Sequence, residues 1–483
     1  MRIYKNYVNG KWVHALREEA FEERNPANLN ELIGLFSSSQ KEDIEAAINS
    51  SNDTFFKWSI KTPYERSNYL KDVLEFLKQE RISLSAIITC ENGKTLKESL
   101  GEIDAAISEM EFQIHQGLRL FGNTIPANRN SVLGLTLKVP LGVVAVITPW
   151  NFPLNVALRK MIPALMAGNT VILKPASLTS LTAVKLIELF EKASIPSGTV
   201  NLVLGSGSLI GKALSTSSRI HGLSFTGSTE VGLQIQAHAA RNLLPTQLEL
   251  GGKNPAIILK DADLEEASNA VITGAFSCAG QWCTSTSRVV VEKDIYEEFI
   301  QILKRKVEDI TVGRGDREQT QMGPVCGERQ LETVLDYIHI GLKEGATLVC
   351  GGNQITDREY SNGCYVAPTI FKDVKQTMRI AKEEIFGPVL CIMSCNDFEE
   401  AITVANNTPY GLSSSIFTKN ISNAMKFINL TKAGLTHVNM PTAYKEPHLP
   451  FGGMKMSGIG IPEAGKTGID FFTKNKSIYL NWN

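Results

Sequence analysis

Cys283 stands in Gly280-Gln281-Trp282-Cys283-Thr284, a stretch that reads as a loop between a helix ending near Phe276 and a strand over Val289 to Val291. A thiol in a loop can meet a substrate, although most cysteines are buried fillers, and a nucleophile needs surroundings that activate a group whose free pKa is ~8.5. Two isolated polar residues lie upstream in apolar, strand-like surroundings: Asn151 in Thr148-Pro149-Trp150-Asn151-Phe152-Pro153, and Glu249 in Leu248-Glu249-Leu250-Gly251-Gly252-Lys253. A carboxylate between two leucines is costly to bury unless something compensates. Glu249 is therefore either a paired core carboxylate or a base held in a dry site, and its own segment does not choose between them. Phe225-Thr226-Gly227-Ser228-Thr229-Glu230-Val231-Gly232 places a glycine turn between a strand and a helix start, where free NH groups and the helix dipole can face a pyrophosphate. Thr229 occupies the place of the middle glycine of GxGxxG, so a plain turn is the competing reading.

The elements that must position these groups are those of an α/β chain. Tyr7-Val8, the Asn9-Gly10 turn and Lys11-Trp12-Val13 predict a hairpin. From about Lys41 to Met110 apolar residues recur at helical spacing, as at Leu70, Val73, Leu74 and Leu77. Between residues 142 and 259, β-rich runs (Val143 to Thr148, Thr170 to Leu173, Val200 to Leu204, Gly222 to Thr226, Pro255 to Leu259) alternate with helical stretches such as Leu154 to Ala167, which stops at Gly168. That alternation predicts a parallel, doubly wound sheet with ligands at the carboxyl ends of its strands. Asp263-Leu264-Glu265-Glu266 reads as a capping box that opens a second α/β unit, with a helix near Gln330 to Glu344 and strands around Val389 to Met393 and Ser414 to Phe417, extending to about Gly452.

Bulk properties narrow the partners. A chain of 483 residues, 43% hydrophobic, exceeds the size at which one core usually divides. Its 49 basic and 50 acidic residues leave a net charge of -1, so no basic field draws it to nucleic acid or an anionic membrane. No stretch has the apolar length of a signal peptide or membrane span, which leads us to expect a soluble, unexported, cytoplasmic protein. The eight cysteines lack the density of a disulfide scaffold, and neither they nor the seven histidines show zinc-type or HExxH spacing, so no metal is expected.

Taken in order, TPWNFP, KPAS, FTGSTEVG, LELGGKNP, GQWC, EEIFGPV and PFGGMKMSG resemble the aldehyde dehydrogenase superfamily over nearly the whole chain, and within it they look similar to succinate-semialdehyde and 2,5-dioxopentanoate dehydrogenases. The resemblance implies a Rossmann-like cofactor domain (1-117 and 138-251), a catalytic α/β domain (252-452), and a small β flap for oligomerisation (118-137 and 465-483) that would support a homodimer or homotetramer. It also implies roles. Cys283 would attack the aldehyde carbon, the Asn151 amide and the Cys283 NH would hold the oxyanion, and Glu249 would activate the water that hydrolyses the thioester. Thr148, Pro149, Trp150, Lys174, Ser177, Gly227, Ser228, Glu384 and Phe386 would meet the cofactor.

Ser177 bears on which cofactor that is. Members that prefer NAD often carry a glutamate at this place, which repels a 2'-phosphate, whereas serine does not, so NADP or use of both NADP and NAD is expected. Arg159 matches an arginine that contacts the substrate carboxylate in related semialdehyde enzymes, and it implies an anionic aldehyde such as succinate semialdehyde, 2,5-dioxopentanoate or sulfolactaldehyde, gripped bidentately. The second arginine of some succinate-semialdehyde enzymes is Ser277 here, which places that substrate in doubt. In the loop before PFGG, Lys445 or His448 would add positive charge, a solvated loop charge being the alternative for each. The rival readings are a CoA-acylating relative, against which Glu249 argues, and a catalytically silent structural relative, against which the retained polar set argues.

Overall fold

The computed structural model describes residues 3–483. Its first layer is an eight-stranded sheet in the order Gly458–Ile459, Thr246–Glu249, Gly222–Thr226, Val143–Ile147, Thr170–Lys174, Val200–Leu202, Asn6–Val8, Lys11–Val13. The five strands from Thr246–Glu249 to Val200–Leu202 run parallel. Their apolar runs are continuous because helices cover both faces. Val144 and Val146 pack on one side with Leu158, Met161 and Ile162, while Val143, Ala145 and Ile147 pack on the other with Ile44, Ile48, Ile210 and Leu214. The terminal hairpin closes one edge, with Asn9 and Gly10 both in the left-handed region that its tight turn requires.

Chain order fixes where this sheet can bind something. From Val143–Ile147 the chain moves outward through Thr170–Lys174 and Val200–Leu202, then returns to lay Gly222–Thr226 and Thr246–Glu249 on the opposite side. The direction of winding therefore reverses between Val143–Ile147 and Gly222–Thr226. A crevice opens at such a reversal, beyond the carboxyl ends of the two strands, and the residues that follow them here are Thr148 to Asn151 and Gly227 to Ser228.

The segment after Gly251-Gly252 departs from the sequence expectation. Asn254–Ile258 does not extend the first sheet but joins a second, seven-stranded one, in the order Thr347–Cys350, Thr369–Lys372, Val389–Cys395, Thr286–Glu292, Asn254–Ile258, Ser413–Phe417, Leu435–Val438. Two adjacent glycines let the chain leave one sheet for the other, and an apolar run cannot tell which sheet will receive it. Asp263 caps the helix Leu264–Phe276 by accepting from the NH groups of Glu265 and Glu266, but among the described residues Glu266 returns no bond, so the capping box is half made. The helical region spans Lys41–Ser59, Pro63–Gln79, Arg81–Asn92 and Leu96–Gly117, running past Met110.

After the second sheet the chain crosses back. Gly458–Ile459 pairs antiparallel with Leu248 and Glu249, covering the edge beside that carboxylate. Thr473–Asn481 then pairs antiparallel with Val132–Pro140, which also holds Thr124–Ile125, in a separate three-stranded sheet whose outer strand leaves Tyr479, Leu480 and Trp482 exposed. Among the described residues no helix is long and apolar enough to cross a membrane, no group of His, Cys, Asp and Glu could hold a metal ion, and all eight cysteines are free.

Candidate active site

One cleft of about 290 Å³ lies at the reversal point, between the two large sheets. Cys283 and Asn151 line it together with Glu249, and so do Pro149, Trp150, Gly227, Ser228, Arg159, Glu384, Phe386 and Lys445. Thr148, Lys174, Ser177 and His448 do not. Thr148 and Lys174 are buried behind the wall, where the Thr148 NH donates to the Lys174 carbonyl at 3.0 Å. Ser177 donates from Oγ to the Gly205 carbonyl at 3.0 Å. His448 faces outward, 4.0 Å from Glu446 and 6.5 Å between ring centres from Phe112.

The thiol owes its place to backbone geometry. Before Cys283, the residues Cys278, Ala279 and Gly280 have φ of 51°, 53° and 69°, an uncommon left-handed run that turns the chain sharply. The turn is held from outside, since the Cys278 NH donates to Glu98 Oε1 at 2.7 Å and Gln281 Oε1 accepts from the Cys326 NH at 2.8 Å. A Cβ on Gly280 would meet the Gly387 carbonyl at 2.2 Å, so the loop also needs glycine for close approach. Asn254 Nδ2 fixes the thiol-bearing residue by donating to the Cys283 carbonyl at 2.9 Å.

Asn151 is held by groups the sequence did not single out. Lys94, fully buried, donates from Nζ to the Asn151 carbonyl at 2.6 Å and to Glu102 Oε2 at 2.8 Å, while the other Glu102 oxygen accepts from the Leu154 and Asn155 NH groups at 2.9 and 3.1 Å. Glu102 thus caps the helix Asn155–Met166 from a neighbouring helix, a favourable use of negative charge. The Asn151 amide donates to the Gln281 carbonyl at 3.0 Å, which orients it and commits one of its two N–H bonds.

Burial dominates the electrostatics. It pushes the Cys283 thiol up to about 12, with Arg159 and Lys445 pulling down against it and Glu384 and Glu249 pushing up. The thiol therefore keeps its proton at neutral pH, and its alkylation by iodoacetamide without added cofactor should accelerate about tenfold per pH unit between about pH 7 and 9 with no plateau. A plateau near neutrality would mean that the thiolate already exists before cofactor is added. Glu249 is likewise raised well above an ordinary carboxylate, first by burial and then by the Glu463 carboxylate, against the pull of Lys160 and Arg159. One Glu249 oxygen has no hydrogen-bond partner among the described residues.

Glu463 was invisible in the sequence, yet it lines the cleft, ion-paired to the buried Lys160, whose Nζ also donates to Ser224 Oγ at 2.9 Å. Asn155, Trp282 and Phe451 are further wall residues that the sequence reading missed. Lone polar or aromatic residues carry no spacing signal of their own, and these reach the cleft only through tertiary packing.

Glu109 occupies the Nε–Nη2 face of Arg159, the one expected to meet a substrate carboxylate bidentately. Arg159 Nε and Nη2 donate to the two Glu109 oxygens at 2.9 Å each, and Nη2 also donates to Asn155 Oδ1 at 2.7 Å. Lys445 Nζ donates to the same Glu109 at 2.8 Å and to Asn155 Oδ1 at 3.1 Å. Burial pushes the Glu109 carboxyl up, but the two cations outweigh it and hold it at about 2.

The cleft also has a cofactor end. Ser228 caps the helix Thr229–Ala240 at the wall formed by Gly227 and Ser228, and among the described residues the buried Thr226 hydroxyl has no hydrogen-bond partner. Glu384, raised to about 7 by burial, accepts from the Gly252 NH at 2.9 Å, and Trp150 meets Phe386 edge-on at 5.3 Å. These donors and rings fit a phosphate-bearing group with a planar ring.

The sequence profile of the aldehyde dehydrogenase family matches residues 12–478. The chain belongs to this family. An alpha-ketoglutaric semialdehyde dehydrogenase of Bacillus subtilis is 43% identical over 99% of this chain and 98% of its own. A 2,5-dioxopentanoate dehydrogenase of Saccharolobus solfataricus is 39% identical over 100% of both chains. Among solved structures, a betaine aldehyde dehydrogenase of Staphylococcus aureus in complex with NAD+ superposes with a TM-score of 0.97 at 35% identity, over 99% of this chain and 95% of that one. As a member of this family the chain is an NAD(P)-dependent oxidoreductase acting on aldehydes with the aldehyde dehydrogenase fold.

Proposed function

We propose that this aldehyde dehydrogenase oxidises an anionic semialdehyde, 2,5-dioxopentanoate first among them, to the dicarboxylate. The observation that carries the reading is the pair of cations, Arg159 and Lys445, in the wall of the cleft that also holds Cys283. Glu109 compensates one of these two positive charges and Glu463 is taken by Lys160, so one buried positive charge beside the nucleophile remains for an entering anion to meet. The names of the relatives from Bacillus subtilis and Saccharolobus solfataricus support the same substrate class.

In the mechanism we read from these residues, Cys283 gives its proton to solvent water in the cleft, and its thiolate forms a C–S bond with the aldehyde carbon while the carbonyl π bond opens onto oxygen. The negative oxygen that results is met by the uncommitted Asn151 N–H and the Cys283 NH. The nicotinamide cofactor, when bound, supplies the acceptor for the hydride that leaves that carbon, which turns the adduct into a thioester on Cys283. Glu249 then removes a proton from water, the water oxygen bonds to the thioester carbon, the C–S bond breaks, and the proton on Glu249 passes to the sulfur, which restores the thiol as the acid leaves and ionises in solvent.

Gly227, Ser228, Glu384, Phe386, Pro149 and Trp150 would hold that cofactor. The Ser177 hydroxyl puts no negative charge in the way of a 2'-phosphate, and Lys174 supports NADP or dual use. Its Nζ, lowered to about 8 by burial, meets only the Pro175 carbonyl at 2.6 Å, and it lies 3.8 Å from where a Cβ would stand on Gly207. We read residues 1-117 with 138-251 as the cofactor domain, 252-452 as the catalytic domain, and the Val132–Pro140 and Thr473–Asn481 pairing as an edge awaiting a second copy in a cytoplasmic homodimer or homotetramer.

Reduction of NAD and of NADP, followed at 340 nm against 2,5-dioxopentanoate, succinate semialdehyde, sulfolactaldehyde and neutral aldehydes, tests the substrate reading. A preference for one anionic aldehyde is expected, and equal use of pentanal would overturn it. Arg159→Met should raise KM for the anionic aldehydes on the order of 10- to 100-fold while leaving pentanal nearly unchanged.

A further inference from the structure

Glu109 does not line the cleft but lies behind its wall, nearly fully buried on the helix Leu96–Gly117. Its two oxygens accept four hydrogen bonds, two from Arg159, one from Lys445 and one from Asn155 Nδ2 at 3.3 Å. The donors left over are what a substrate would meet. Of the five N–H bonds of the Arg159 guanidinium, Nε and both on Nη2 are spent on Glu109 and Asn155. Both on Nη1 remain, since Nη1 meets no acceptor within hydrogen-bond distance among the described residues and the Glu463 carboxylate stands 3.9 Å away. Lys445 spends two of its three N–H bonds on Glu109 and Asn155 and keeps one. Phe451 lies against the guanidinium, 4.8 Å from its central carbon, and keeps the plane from turning.

We propose that Glu109 is a positioning residue that turns Arg159 and Lys445 so that they present three N–H donors in a fixed front, matched to the three acceptor oxygens of a 2-oxocarboxylate rather than the two of a simple carboxylate. The inference rests on the anionic-aldehyde reading above and adds how the site tells one anion from another. Without Glu109, two buried cations would share only the neutral Asn155 amide oxygen, and the guanidinium would be free to turn and offer Nε and Nη2, the face that suits any carboxylate.

Charge and position predict opposite signs for the same variant. Glu109→Gln removes a negative charge from the anion pocket, so a pocket that works only as a field would bind anions more tightly and KM would fall. A pocket that works by positioning loses its match, and KM rises. With Glu109→Gln, KM for 2,5-dioxopentanoate should rise on the order of 10- to 100-fold with kcat within about threefold, pentanal should change less than about twofold, and the preference for 2,5-dioxopentanoate over succinate semialdehyde should fall toward one. Glu109→Asp, which keeps the charge one methylene back, should lie between wild type and Glu109→Gln. A lowered or unchanged KM for 2,5-dioxopentanoate in Glu109→Gln, or an equal loss on pentanal, overturns the proposal. Should Glu109→Gln not fold, Glu109→Asp decides alone, because an unchanged KM for 2,5-dioxopentanoate in that variant also overturns it. The parent reading fails separately: wild type using pentanal as well as the anions removes the anionic substrate itself, whereas a wild-type preference that survives in Glu109→Gln removes only the role of Glu109.

Discussion

Cys283→Ala is expected to abolish aldehyde oxidation, lowering kcat by on the order of 10⁴ or more while leaving nicotinamide cofactor binding within about twofold. The size follows from the absence of a substitute. The other sulfurs are placed elsewhere, with Cys278 buried in the preceding turn and Cys326 buried against the Glu91 carbonyl at 3.8 Å, and neither lines the cleft. The small effect on cofactor binding follows from distance, since the cofactor end is built on the Gly227 turn and on Glu384, which take no support from the thiol. Cofactor reduction at 340 nm together with a fluorescence titration of cofactor separates the two. Turnover above a hundredth of wild type would remove Cys283 as the nucleophile.

The second large effect is kinetic in form. Glu249→Gln keeps the shape of a buried carboxyl and removes its ability to accept a proton, so the first half of the reaction should survive and the second should stall. A burst of reduced cofactor equal to the enzyme present, followed by steady turnover slowed on the order of 10² to 10⁴-fold, is the expected record in stopped flow. The pH dependence has a defined sign. Burial and the Glu463 carboxylate raise the acid form of Glu249, and the base must be ionised, so wild-type steady turnover should climb with pH through an apparent pKa above the ordinary carboxylate value. Glu249→Gln should lose that limb. Loss of the burst as well would assign Glu249 to the first half-reaction instead.

How far these features could be read beforehand depended on whether they are local. The parallel strands announced themselves because a buried strand is a short apolar run between turns, and Val143–Ile147, Thr170–Lys174 and Gly222–Thr226 fell close to where they were expected. Their partners were less legible. Asn254–Ile258 has the same composition as its predecessors but belongs to the other sheet, a difference made by two glycines and by packing far away in sequence. At the site, Cys283, Asn151 and Glu249 stood out as polar residues in apolar or loop surroundings, and in the fold they line one cleft.

Glu109, Glu463 and Lys94 did not stand out, because each is one charged residue among many on a helix or loop, and only the fold says that it is buried against an opposite charge. Arg159 is the instructive middle case. Its presence in the wall was legible, but its orientation was not, since that is set by Glu109 fifty positions earlier. His448 takes the solvated one of its two readings, its loop carrying it to the outside while Lys445, three residues earlier, turns in.

The return of the chain at Gly458–Ile459 bears on synthesis. The carboxylate of Glu249 sits on a strand whose outer edge stays bare until these two residues pair with it, and Phe451 and Glu463, which bond to each other through their backbones at 2.7 Å, complete the neighbouring wall. A chain emerging from the ribosome would thus carry its thiol for well over a hundred residues before the pocket around the base could close. Over that interval the sulfur would be an ordinary cysteine beside a half-built sheet, and chemistry would begin only when the last strands arrive.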